Sequence, residues 1–299
     1  MRYASLVTLL LLCGMQQAGA AVDLSANEKP LTTAVDPQAV ALLPAHYSFA
    51  HPGQLTVAVS AQNSPPLSLL ASDNRTRIGS DIDIARLLAQ SLGLTLNLVP
   101  VSWEEWPLGI SSGRYDLALV NIAVTEQRKQ RYDFATYRTD SLAFSVKSDS
   151  PITHISRPED VAGKRVIVGS GTNQERILLG WNDQLRQRHL TPATPIYLTD
   201  DATTTLFLQS GRADINFGPQ AAAAWKAALN GRTKVVGYSP KKAWVATTTR
   251  KNSGLVLALH QALNDAIANG NYQKILTRWG EQQEGVNVSQ INPPGITYP

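Results

Sequence analysis

Chemistry in this chain has to come from ordinary polar side chains. The five histidines (46, 51, 154, 189 and 260) are scattered, with no helical pair spacing and no adjoining carboxylate, so no metal site is expected. GSGTNQ (residues 169–174) spaces two glycines like a dinucleotide loop, but Gln174 stands where a third would be and no P-loop lysine follows. A nucleotide cofactor is therefore disfavoured. No G-x-S-x-G elbow activates a serine, so no catalytic residue is assigned. Two places carry groups suited to an anion. In NIAVTEQRKQRYDF (residues 121–134) an apolar run gives way to Asn121, a short apolar triplet and a burst of cations led by Arg128. On its own this also reads as a buried strand followed by a helix whose charges face water. In GTNQE, Thr172 opens a helix, where a hydroxyl and free backbone N–H groups cap the helix and can hold an anion.

The elements that would position these groups belong to a globular, exported chain. The 299 residues are 43% apolar and 17% charged, enough for one large or two ordinary domains, and a net charge of +4 is too weak for a nucleic-acid footprint. Arg2 is followed by SLVTLLLLCG, too short to cross a bilayer, and by AGAA, with small residues around Ala18 and Ala20. Residues 1–20 are thus expected to be a cleaved secretory signal. The single cysteine, Cys13, falls inside it, leaving the exported protein without disulfides or thiolate chemistry.

Residues 21–53, with Pro30, Pro37, Pro44 and Pro52, read as a leader held against the first domain. From Gln54 strands and helices alternate: QLTVAVS, a helix ending at Gly93, LTLNLVPV, a short helix over SWEEWPLGISSG, and YDLALVN. Ser102 and Glu105 have capping-box spacing. A second module begins near Lys147 and repeats the alternation, its Ala-rich helix starting at Pro219. Both patterns predict mainly parallel sheets covered by helices. Trp106 and Trp225 are read as core. SGRYDLALVN (residues 112–121) and SGRADINFGP (residues 210–219) echo one another and put Asn121 and Pro219 at corresponding strand ends. Ligands of open α/β sheets collect outside such ends, and two lobes face to face make a cleft.

LTVAVSAQNSPPLSLL, residues 77–134, RPEDVAGKRVIVGSGTNQE and GNYQKILTRWG together resemble the periplasmic solute-binding proteins of polar amino-acid ABC transporters, the bacterial extracellular solute-binding protein family 3. The resemblance implies an α/β, two-lobed periplasmic-binding-protein fold, each lobe a mainly parallel sheet flanked by helices, closing about two hinge strands. Lobe 1 would comprise residues 54–143 and 242–285, lobe 2 residues 144–241, and residues 286–299 a tail, with crossings near residues 141–147 and 239–246. It implies that Arg128 clamps a ligand carboxylate with two parallel charge-assisted hydrogen bonds, that Thr172 and Asn173 reach the same carboxylate from the second lobe, and that Trp103 packs on the ligand. Thr125 is then the cap of the Arg128 helix.

The departures concern the ligand's cationic end. Pro219 stands where members carry an acid for the ligand ammonium, Ala123 where a hydroxyl helps, and Ser60 and Ser64 where members carry an Asp and an aromatic residue. A buried ammonium without a counter-charge is costly, so the ligand is expected to be a small carboxylate that need not carry a free α-ammonium, unless an acid such as Glu104, Glu105 or Asp201 turns inward. The implied protein is a periplasmic, monomeric binding protein without cofactor, delivering its ligand to a membrane permease. A cyclohexadienyl-dehydratase-like enzyme and a soluble ligand sensor are the alternatives.

Overall fold

The computed structural model describes residues 24–239 and 241–297; the expected signal segment, residues 1–20, lies outside the described residues. The leader forms α1 (Ser25–Glu28) and α2 (Pro37–Ala41), the latter capped by the Asp36 carboxylate, which accepts from Gln38 N and Ala39 N. Its Leu31, Leu43, Tyr47 and Phe49 pack against the first hydrophobic core.

The first module contributes β1 (Gln54–Ser60), the small hairpin β2 (Leu69–Leu70) and β3 (Arg77–Ile78), α3 (Ser80–Ser91), β4 (Thr95–Val101), α4 (Trp106–Ser111), β5 (Leu117–Leu119), α5 (Glu126–Lys129) and β6 (Tyr132–Asp140). Chain direction then passes to the second module: β7 (Leu142–Lys147), β8 (Arg165–Val168), α6 (Asn173–Gln187), β9 (Thr194–Tyr197), α7 (Asp201–Gln209), β10 (Ile215–Pro219), α8 (Gln220–Asn230) and β11 (Thr233–Tyr238). It returns as β12 (Ala243–Arg250), α9 (Leu255–Ala268) and α10 (Asn271–Trp279). The interior of β1 is buried throughout because helices cover both faces of its sheet. Gly79 precedes α3 with φ 139° and lies so close to the Leu67 carbonyl that a Cβ would collide with it.

The protein is two-lobed, with one five-stranded sheet per lobe. Strand order is β4-β1-β5-β12-β6 in the first and β11-β7-β10-β8-β9 in the second. β1 runs parallel to β4 and β5, and β8 parallel to β9 and β10; among the described residues only β12 and β7 run against the direction of their five-stranded sheets. Each reversed strand is the one that enters its sheet just after a crossing. The first crossing is Ser141 itself, since β6 ends at Asp140 in one sheet and β7 starts at Leu142 in the other. It therefore sits at the very start of the expected stretch, because Leu142 pairs at once with Pro219. The second lies between Tyr238 and Ala243.

α9 and α10 pack into the first core through Leu259, Leu263, Ile275 and Trp279. The tail then runs along β6: Thr136 N donates to Gln290 O and Asn292 N to Phe134 O, each at 3.0 Å, and Ile296 N reaches Val124 O at 3.0 Å. Trp106 is core, as expected. Trp225 is not: it is half-buried, bordering a groove behind the crossings with Trp279 and Glu284.

Candidate functional site

Ser60 ends β1, Asn121 follows β5, Gly169 follows β8 and Pro219 ends β10, so the carboxyl ends of four strands from both sheets converge. Between them lie two adjoining cavities of about 200 and 120 Å³, which share Trp103, Val120, Asn121, Thr172, Gln174 and Pro219 as walls.

Arg128 borders the smaller cavity. Thr125 caps the short α5 by accepting from Arg128 N at 3.1 Å, which turns the arginine inward, and its guanidinium lies 5.2 Å from the Trp103 ring centroid and 5.9 Å from that of Trp106. Nη1 donates to Ala123 O at 2.9 Å and Nη2 donates to Gly171 O, in the other lobe, at 3.2 Å. The solvated-helix reading therefore fails for Arg128, which is half-buried. Trp103 crosses the cleft as well, donating from Nε1 to Ser170 O at 3.1 Å.

Thr172 caps α6: its Oγ1 accepts from Glu175 N at 3.2 Å and donates to Gly169 O at 2.6 Å. With its proton committed to a carbonyl, the hydroxyl positions the helix, and the backbone N–H groups of Asn173 and Gln174 are the donors the helix start offers to an anion. Asn173 borders the smaller cavity beside Arg128. Ala123 supplies that cavity's wall and the carbonyl that orients Arg128. Ser64 borders the larger cavity, where its N–H donates to Ser68 O in a tight turn. Pro219 borders both cavities, ends β10 and is at the same time the N-cap of α8, one residue before its first turn.

Asn121 adopts the left-handed conformation, φ 56°. Its Nδ2 donates to Asp140 Oδ2 at 2.9 Å and its Oδ1 accepts from Arg138. Arg138 is fully buried and also donates to Glu284, with Asp81, Asp140 and Glu281 nearby, so one cation faces four acids. Burial pushes the Asp140 carboxyl up to about 6 and that of Glu281 up to about 7, with Arg138 pulling both the other way. Burial likewise raises Asp81, whose Oδ1 accepts from Tyr137 OH at 2.7 Å. Asp81 borders the larger cavity and Asp140 the smaller. Among the described residues Asp140 Oδ1 has no hydrogen-bond partner; the nearby Gln220 N–H donates to Ser141 O at 2.9 Å instead.

Every residue that the sequence analysis placed at the ligand site, Ser60 included, thus borders one cavity or the other. Sequence reasoning missed Asp81, Asp140 and Lys226. The relocated acid it left open is available at Asp140, Asp81 and Asp201, and the first two were hidden because an acid in a helix's first turn or at a strand end is ordinary. Lys226 did leave a signal, being the only charged residue of α8.

The family model for bacterial extracellular solute-binding proteins, family 3, matches residues 55–282. The L-cystine-binding protein TcyJ of Escherichia coli (strain K12) is 29% identical over 72% of this chain and 78% of its own length. The arginine-binding protein ArgT of Corynebacterium glutamicum is 26% identical over 86% of this chain and 83% of its own. A solved ancestral arginine-binding protein bound to glutamine is 25% identical with a TM-score of 0.69, covering 78% of this chain and 100% of that structure. With the family match spanning the strands, both crossings and the cleft just described, the chain is a member of the bacterial extracellular solute-binding proteins, family 3.

Proposed function

We propose that this protein is the exported, periplasmic substrate-binding component of an ABC importer, monomeric, capturing an amino acid or close derivative between its lobes and presenting it to a membrane permease. Ser141 and the segment between Tyr238 and Ala243 are the hinge, so that residues up to Asp140 and from Ala243 move against residues 142–238. The ligand's carboxylate lies between the Arg128 guanidinium and the start of α6 at Thr172 and Asn173, with Trp103 against its side.

The observation that carries this reading is that Arg128 and the α6 N-terminus, from opposite lobes, border one small cavity at the carboxyl ends of the strands. A thermal-shift screen of residues 21–299 against amino acids, their N-substituted derivatives, organic acids and sulfonates tests it. A ligand at 100 times its dissociation constant stabilises the folded state by about 2.7 kcal/mol, and no shift with any of them would reject the proposal.

One observation favours an enzymatic second reading: a carboxyl with its pKa near 6, Asp140, borders the cavity and would suit a general acid. Incubation with a cyclohexadienyl substrate, followed by the absorbance of an aromatic product, decides between capture and turnover.

A further inference from the structure

We propose that the larger cavity receives a second charged head of the ligand at Lys226 and Asp201, so that the natural ligand carries an amino-acid group at each end, both an ammonium and a carboxylate at the far one. This rests on the reading of Arg128 as the carboxylate clamp of the first head.

Lys226 and Asp201 form an ion pair, Nζ to Oδ1, and both border the larger cavity and not the smaller. The side chains are only 24% and 29% exposed. Neither is needed by its own helix. The cap of α7 is Asp200, which accepts from Thr203 N at 2.7 Å and from its hydroxyl, leaving the Asp201 carboxylate to turn toward the cavity. Lys226 is the only ionisable side chain of α8, whose Ala222 and Ala223 line the same cavity. Burial lowers the lysine pKa to about 8 while Asp200 pulls it up, which leaves it a cation at neutral pH.

The choice of a zwitterionic head follows from charge balance. A ligand with a lone distal carboxylate would draw Lys226 away and leave Asp201 half-buried without its partner; a lone distal cation would do the same to Lys226. Breaking a buried pair by removing one partner is far costlier than exchanging it. A head with both charges satisfies both residues. The same cavity is walled by the apolar Val168, Leu198 and Phe217 and by the uncharged polar Gln62, Thr199 and Asn216, so the part of the ligand joining the heads needs no charge of its own.

The test is calorimetric titration of the protein with L-cystine and meso-diaminopimelate, each with two heads, and with S-methyl-L-cysteine, which has one. At least one two-headed probe is expected to bind more than 100-fold tighter than the one-headed probe. Lys226→Met should remove at least tenfold of that affinity while leaving S-methyl-L-cysteine within twofold. Because that variant strands Asp201, the double variant Lys226→Met, Asp201→Asn, which removes both charges together, is measured beside it, with thermal melts to verify folding. Equal affinity for one- and two-headed probes, or a preference that survives in the folded double variant, overturns the second head. If one-headed amino acids bind through Arg128 while Lys226 is silent, the binding function stands and this inference alone falls. If no probe binds, the second head falls, and the binding function is judged separately by the thermal-shift screen.

Discussion

Arg128 spans the cleft: its Nη2 donates to Gly171 O, 3.2 Å away in the opposite lobe, while Nη1 is held by Ala123 O in its own. A guanidinium that borders the cavity and touches both lobes in this way ties ligand binding to lobe contact. Arg128→Ala is predicted to lower affinity for the best ligand of the screen at least ~100-fold, since two charge-assisted hydrogen bonds are each worth about 1.5–3 kcal/mol. Arg128→Lys should recover only part of this, because an ammonium cannot fork. Calorimetry on the folded variants reads both; unchanged affinity in Arg128→Ala would remove Arg128 from the site.

Asp140 bears on whether the ligand carries a free ammonium. Pro219 offers no counter-charge, but Asp140 borders the same cavity with one carboxylate oxygen unpartnered among the described residues and with excess negative charge behind it. Asp140→Asn is therefore predicted to weaken a free amino acid at least tenfold, about 1.4 kcal/mol, and to leave its N-acetyl counterpart unchanged. Tighter binding of the N-acetyl form by the natural protein would instead support the expectation drawn from Pro219.

How much of this was legible in the sequence depended on what kind of signal each residue leaves. Strand and helix alternation announced both sheets, and the echo between residues 112–121 and 210–219 announced that β5 and β10 occupy like positions, each beside the reversed strand of its sheet. Arg128 and Thr172 stood out because a strand end and a helix start are local features. Asp140 did not, since it acts by lying at the crossing, where Asn121, Arg138 and Glu284 from other parts of the chain surround it. Trp225 misled for the converse reason: an aromatic amid alanines reads as core, yet α8 turns that face toward the groove behind the crossings.

Ile296 puts the tail into the site. It borders the smaller cavity, its N–H bonded to Val124 O, while Gly295 N donates to Glu126 Oε1 at 2.7 Å next to the Arg128 turn. Ile296→Ala is predicted to change ligand affinity severalfold with little loss of stability, because the side chain is only half-buried. Ending the chain at residue 285 should cost stability too, since it strips the tail's hydrogen bonds from Phe134 and Thr136. Unchanged affinity in both would make the tail a support for β6 and nothing more.

The acids around Arg138 set a pH dependence with a defined sign. Asp140 is raised from an ordinary 3.8 to about 6 and Glu281 from 4.5 to about 7, burial being the main cause in each. Between about pH 4 and 7 the native state then binds more protons than the unfolded chain, so stability is greatest below that window and is lost as pH rises through it. Carboxylates held low, such as Asp133 beside Lys251 and Asp214 beside Arg165, act the other way, but only as pH falls below about 4. The melting temperature at pH 5 is therefore predicted to exceed that at pH 8, by about 5 °C for a shift of this size. The groups facing this cluster are Asp81 from α3, Tyr137 and Arg138 from β6, Tyr272 from α10, and Glu284. Glu281→Gln mimics the protonated form and should flatten the slope, with Asp140→Asn flattening it further. Ligand affinity should move oppositely: a free ammonium needs Asp140 ionised, so binding of a free amino acid should strengthen as pH rises through about 6, and that of its N-acetyl counterpart should not. A melting temperature that climbs from pH 5 to 8, or a slope that neither variant alters, would mean that the excess acids at the crossing are not held protonated by the fold.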